Sequence, residues 1–175
     1  MRLNRGFEAE QMVFMIFSKH VDASRFETEH VNGVGFDVKI KDLQSNNQTL
    51  LIEVKSNSKT FDFLDQEKNN PTFPILFNGA YWNNINCHYV FFASSLGLFY
   101  GKARDLRKYF KKFHEKFPVF KHSLRKGDFR LVALRHMLKK GVVSRIEDYN
   151  LVVNRIIERH FGKETIEEQV ETITF

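Results

Sequence analysis

The chain has 175 residues, 42% of them hydrophobic and 19 of them Phe, which suits one domain with a sizeable core and excludes a disordered chain. Its single cysteine, Cys87, excludes an internal disulfide framework and fits a reducing compartment; no apolar run approaches the length that spans a bilayer. The net charge of +6 is unevenly spread: residues 101–140 carry fourteen Lys and Arg against three Asp and Glu, a footing for a polyanion such as nucleic acid.

Charged residues interrupt every apolar run near the N-terminus, which follows no signal-peptide plan, so a soluble cytoplasmic protein is expected. Residues 6–20 are predicted as a helix, with Phe7, Val13, Phe14 and Phe17 at helical spacing and Met12, Met15 and Ile16 widening the stripe. Asn32, Gly33 and Gly35 then break the chain before a strand over 34–41, where Phe36, Val38 and Ile40 alternate with Asp37, Lys39 and Lys41. A Ser45-Asn46-Asn47 turn leads to a second strand over 49–56, and the short connection predicts an antiparallel hairpin.

Residues 57–86 are polar and punctuated by Pro71, Pro74 and Gly79, with room for a short helix over 61–68. The apolar run 87–93 predicts a buried central strand, and 96–101 a further one. Leu106, Tyr109, Phe110, Phe113 and Phe117 recur at helical spacing over 103–117, opposite Arg104, Arg107, Lys108, Lys111 and Lys112, and Pro118 ends that helix. Residues 128–140 fit either a strand or a helix capped by Asp128. Ser144 and Glu147 form a capping box that predicts a helix through His160, suited to completing the core or to an interface; the acidic tail after Gly162 is expected to be loosely held.

The hairpin carries the chemistry. Residues two apart on a strand share a face, so Glu53 and Lys55 point together while Val54 packs inward, and Asp37 on the partner strand comes within about 5 Å. Two carboxylates and an ammonium at one sheet surface can hold a divalent metal and a water beside a phosphate. A hairpin with one wet face also shows alternating charges by default. Beyond the hairpin, the first helix carries Glu8 and Glu10 in its first turn. Glu10 shares the face of Val13, Phe14 and Phe17, where a carboxylate is costly without a cation or donor. The seven His show no metal-ligand spacing, Cys87 leads into a buried strand as a packed residue, and no Gly-rich phosphate loop suggests a nucleotide cofactor.

At these residues the chain resembles the PD-(D/E)xK nuclease superfamily, which includes restriction endonucleases and archaeal-type Holliday junction resolvases. The family's Gly-x-x-x-Glu helix start matches Gly6-Phe7-Glu8-Ala9-Glu10, its central Asp matches Asp37, and its acidic-x-Lys pair matches Glu53 and Lys55; Phe36 stands where the family often has Pro. The resemblance covers about residues 6–100. It implies an α/β restriction-endonuclease-like αβββαβ core, a mixed sheet flanked by helices, over 1–102; the residues beyond, 103–175, are expected to form a basic helical extension packed on the same domain. It implies that Asp37, Glu53 and the Val54 carbonyl bind Mg²⁺ (or Mn²⁺), that Glu10 joins directly or through water, and that Lys55 serves the attacking water. The expected activity is endonucleolytic cleavage of DNA by a homodimer. Arg104, Arg107, Lys108, Lys111 and Lys112, with Lys59 beyond the hairpin, are expected to track the phosphate backbone. The rival reading is a nucleic-acid-binding module that keeps the fold without catalysis. Restriction-type and junction-resolving activities both remain open.

Overall fold

The computed structural model describes residues 5–32, 35–45, 48–56, 70–77, 87–121 and 127–162. In chain order they form α1 (Arg5–His20), β1 (Phe26–His30), β2 (Val38–Asp42), β3 (Thr49–Ser56), β4 (Thr72–Leu76), β5 (Tyr89–Ser94), β6 (Gly97–Lys102) and α2 (Ala103–Phe113). A 3₁₀ turn (His114–Lys116) then leads to β7 (Val119–Phe120), β8 (Phe129–Ala133), α3 (Leu134–Lys139), β9 (Ser144–Arg145) and α4 (Tyr149–Phe161). A six-stranded mixed sheet runs in the order β1-β2-β3-β5-β6-β9, parallel between β3 and β5 and antiparallel elsewhere. A three-stranded sheet, β4-β8-β7, lies beside it.

Each side of the large sheet carries its own core. On one, Ala9, Val13 and Phe17 of α1 and Val152, Val153 and Ile156 of α4 pack on Val38, Ile40, Ile52, Val54 and Phe91. On the other, Phe73 and Ile75 of β4, Leu106 and Phe110 of α2, and Val132 of β8 pack on Val90, Phe92 and Phe99. The second face of the sheet is therefore not uniformly wet: α2 and the small sheet cover it around β5 and β6 and bury Glu53, while Lys39 on β2 stays partly exposed.

The helix over 6–20, the hairpin of 38–56, the buried strand near 89–94 and the strand near 97–102 appear as read from the pattern. Other elements differ. The strand predicted over 34–41 starts at Val38, because Gly35 has φ +79 and turns the chain. β1 went unread: Thr28 and His30 follow Phe26 on the inner face and are too polar to mark an alternation. β4 was hidden by Pro74, which a strand tolerates at a sheet edge, and β4 pairs only with β8. Of the two readings of 128–140 the strand holds for Phe129–Ala133, and a helix follows only from Leu134, capped at Ala133 and not by Asp128, which binds Arg130 and His114.

The Ser144 capping box does not form. Ser144 and Arg145 pair with Tyr100 and Phe99, and the helix starts at Tyr149, where Asp148 Oδ1 accepts the Leu151 N–H at 3.0 Å. Gly101 permits that edge pairing, since a Cβ there would lie 2.3 Å from the Val142 carbonyl oxygen. The helix predicted over 103–117 ends at Phe113 and tightens into the 3₁₀ turn. The predicted short helix over 61–68 and the acidic tail lie outside the described residues.

Candidate active site

Asp37 sits one residue before β2, where the antiparallel ladder with β3 runs out. Its N–H donates to the Ile52 carbonyl at 2.8 Å, and its own carbonyl accepts the Val31 N–H at 2.8 Å. Its carboxylate then does what the next strand carbonyl would have done: Oδ2 accepts the Val54 N–H at 2.6 Å. This bond satisfies a buried backbone donor and fixes the side chain against β3.

Asp37 lies just beyond the last paired position, Val38↔Ile52, close enough to Glu53 for the two carboxylates to act on each other. Ile52 and Val54 belong to the α1 core and Leu51 packs into the other, so Glu53 and Lys55 project from the α2 side. Glu53 is only 4% exposed, and the Lys55 Nζ donates to its Oε1 in an ion pair. A buried carboxylate requires such a partner.

The electrostatics follow. Burial raises the Asp37 carboxyl and the Glu53 charge raises it further; the Val54 N–H and Lys55 oppose, Glu10 adds a smaller push, and the result is a pKa of about 7. Burial and the neighbouring carboxylate thus favour the protonated form of Asp37. Cys87 is within range of the same field: burial, then Glu53, push its thiol up to about 12. It is a packed thiol, not a nucleophile.

Glu10 projects from α1 toward β1, where its Oε2 lies 3.2 Å from His30 Nε2. Gln11 Nε2 lies 3.1 Å from His30 Nδ1. His30 therefore bridges the Gln11 amide nitrogen and the Glu10 carboxylate. Glu10 thus stands on the α1 side and Glu53 with Lys55 on the other, and the charges of Glu10 and Glu53 meet at Asp37. Glu8, its competitor in the first turn, is exposed. His30 is the site residue that the sequence pattern missed; the polar inner face of β1 was the one signal available.

Among the described residues, no group of three or more His, Cys, Asp and Glu is placed to hold a metal ion. Asp37 and Glu53 are an all-oxygen pair, the donor chemistry that suits a hard divalent cation that keeps several waters.

Of the expected phosphate-tracking residues, Arg104, Lys108, Lys111 and Lys112 are exposed on α2. Arg107 instead turns inward, donating from Nη2 to the Cys87 carbonyl at 3.2 Å, and anchors α2 to the segment entering β5. Lys59 lies outside the described residues. No described helix is long and apolar enough to cross a membrane. Comparison with family models, curated proteins and solved structures finds no match for this chain.

Proposed function

We propose that this chain is a Mg²⁺-dependent endonuclease of the PD-(D/E)xK kind, acting on DNA in the cytoplasm. The observation that carries the reading is the Asp37 carboxylate, bonded to the Val54 N–H next to buried Glu53, with Lys55 paired to Glu53 alongside. The element order supports it: α1, three antiparallel strands, then β5 parallel to β3, is the order an αβββαβ core requires.

Asp37 and Glu53 would hold the cation, with the Val54 carbonyl beside them; Glu10, engaged by His30 on the α1 side, would act on Asp37 through its charge rather than as a ligand. A bound Mg²⁺ supplies Lewis-acid charge relief on the phosphoryl oxygens and a more acidic water. The chain does the rest. The Val54 N–H fixes the Asp37 rotamer, Glu53 provides a desolvated anion, and Lys55 carries a positive charge that orients water and offsets charge developing on the phosphoryl group. Cutting both strands takes two sites, which favours a homodimer.

Incubation with supercoiled plasmid, linear duplex and a four-way junction, in Mg²⁺ and in EDTA, tests the reading. Metal-dependent cutting that Asp37→Ala and Lys55→Ala abolish is expected; wild-type protein that cuts none of the three sinks it. The engagement of Glu10 by His30 favours a second reading, a binding module without cleavage. DNA binding without cutting would select it.

A further inference from the structure

Beyond Arg107, α2 leads away from the hairpin to a cluster of cations that come from three different segments. The ammonium groups of Lys112, Lys116 and Lys140 lie 5.6, 5.7 and 5.1 Å from the centroid of one ring, Phe113. No two of them can therefore be more than about 11 Å apart, about one Debye length at 0.1 M salt. All three lysines are exposed, as is Lys139 beside them.

The gathering is built, not incidental to three long side chains. The Tyr109 hydroxyl and His136 Nδ1 are 2.5 Å apart, which ties α3 to α2. His136 also packs edge-on against Phe113 at 5.2 Å, so the ring under the lysines is held from both helices. Lys140 caps α3, and Gly141, with φ +67, turns the chain sharply after it. The positive field reaches into this floor: the His136 imidazole is held below its ordinary value by burial and then by Lys140, Lys139 and Lys116.

The acids of this region are mostly committed elsewhere. Of the three in residues 101–140, Asp105 pairs with Arg104, and Asp128 with Arg130 and His114; Glu115 is exposed in the same turn as Lys116. Cation–π contact with Phe113 offsets part of the repulsion among the ammoniums. An oxyanion seated between them would offset far more, and a phosphate backbone presents such oxyanions in series.

We propose that Lys112, Lys116 and Lys140 over Phe113 form a binding site for the phosphate backbone of a nucleic acid, separate from the Asp37–Lys55 centre. It rests on the nucleic-acid reading above but not on cleavage. It differs from a generic basic helix face in that α3 supplies Lys140, and the aromatic floor sets the spacing.

The test is fluorescence anisotropy of a labelled 20-base-pair duplex with the full chain in EDTA, across a salt series, where no cutting is needed. The triple variant Lys112→Ala, Lys116→Ala, Lys140→Ala should bind at least about tenfold more weakly at low salt. Its slope of log K against log salt should be shallower by roughly two to three, one released counterion per lost phosphate contact. A control removing the same charge from α1 and α4, Lys19→Ala, Arg155→Ala, Arg159→Ala, should stay within about twofold of wild type. The site is overturned if the triple variant binds like wild type, if the control loses as much, or if wild type binds no duplex at low salt. Loss of binding to anionic lipid vesicles with duplex binding unchanged would also overturn it, assigning the patch to a membrane surface. Failure of the nuclease reading looks different: no cleavage in Mg²⁺ while the anisotropy contrast persists.

Discussion

Asp37→Asn should make the protein more stable at neutral and alkaline pH. In the unfolded chain this carboxyl titrates near 3.8; in the fold it titrates near 7 because of burial and the Glu53 charge. Between those values the folded state keeps a proton that the unfolded state has lost, so stability falls as pH rises through the window and levels off above it. A gap of about 3 pH units at 1.36 kcal/mol each sets a ceiling of about 4 kcal/mol, and residual solvent access reduces the expected effect to about 2 kcal/mol. Asn keeps an oxygen to accept the Val54 N–H, so the ladder bond survives the substitution. Urea unfolding in EDTA should give midpoints for wild type and variant that differ less than half as much at pH 5 as at pH 8, because only the part of the window between 3.8 and 5 has then been crossed. At pH 8 the variant's midpoint should be higher by about 1 M, using a typical slope of about 2 kcal/mol per M. Adding Mg²⁺ should raise the wild-type midpoint and leave the variant where it was. Parallel pH profiles for the two proteins, or an Asn variant weaker at pH 8, would refute the account of Asp37 as a destabilised anion.

Three further outcomes are expected. Lys55→Ala leaves the Glu53 charge buried without its ammonium; a loss of about 1–3 kcal/mol in urea unfolding should accompany complete loss of metal-dependent plasmid nicking. Arg25 forms a 2.7 Å ion pair with Asp42, which is fully buried and also accepts from the Gln44 N–H and the Ser45 hydroxyl, so Arg25→Ala should cost about 2 kcal/mol by the same measurement. The His88 Nδ1 accepts the Leu51 N–H, and burial, with His160 close by, holds its pKa at about 4. The unfolded imidazole takes up its proton near 6.5, so stability from this group is complete above that pH and is lost progressively toward pH 4, by about 1–3 kcal/mol. An NMR titration placing the His88 pKa near 6.5 would contradict this.

Local pattern carried the sequence reading where one element's alternation set its burial. The hairpin, the helix before it and the strand near Cys87 are of this kind. Pattern failed where neighbours decide. Pro74 reads as a break until β8 supplies pairing on one side only. Ser144 reads as a helix cap until β6 takes its backbone. The site was legible as a set of types, Asp37, Glu53 and Lys55 on one face, because a strand's two-residue period is fixed. That Glu53 is nearly dry was not legible, since the covering layer comes from β4, α2 and β8, far along the chain. Nor was His30, which becomes the Glu10 partner only once β1 is placed beside β2. Lys140 likewise joins Lys112 and Lys116 through an interhelical hydrogen bond that leaves no trace in the spacing of charges.

Because β3 and β5 run parallel, no tight turn can join them, and residues 57–88 must be spanned before Ser56 finds Ala93. The β2–β3 hairpin closes over a much shorter distance and should form earlier in folding. At that stage its carboxylates would still be in water, titrating as ordinary surface acids. Only the docking of β5, with α2 anchored to the Cys87 carbonyl behind it, dries Glu53 and raises Asp37. Charge repulsion at the centre is therefore met late in folding, when most of the apolar burial is already in place to outweigh it.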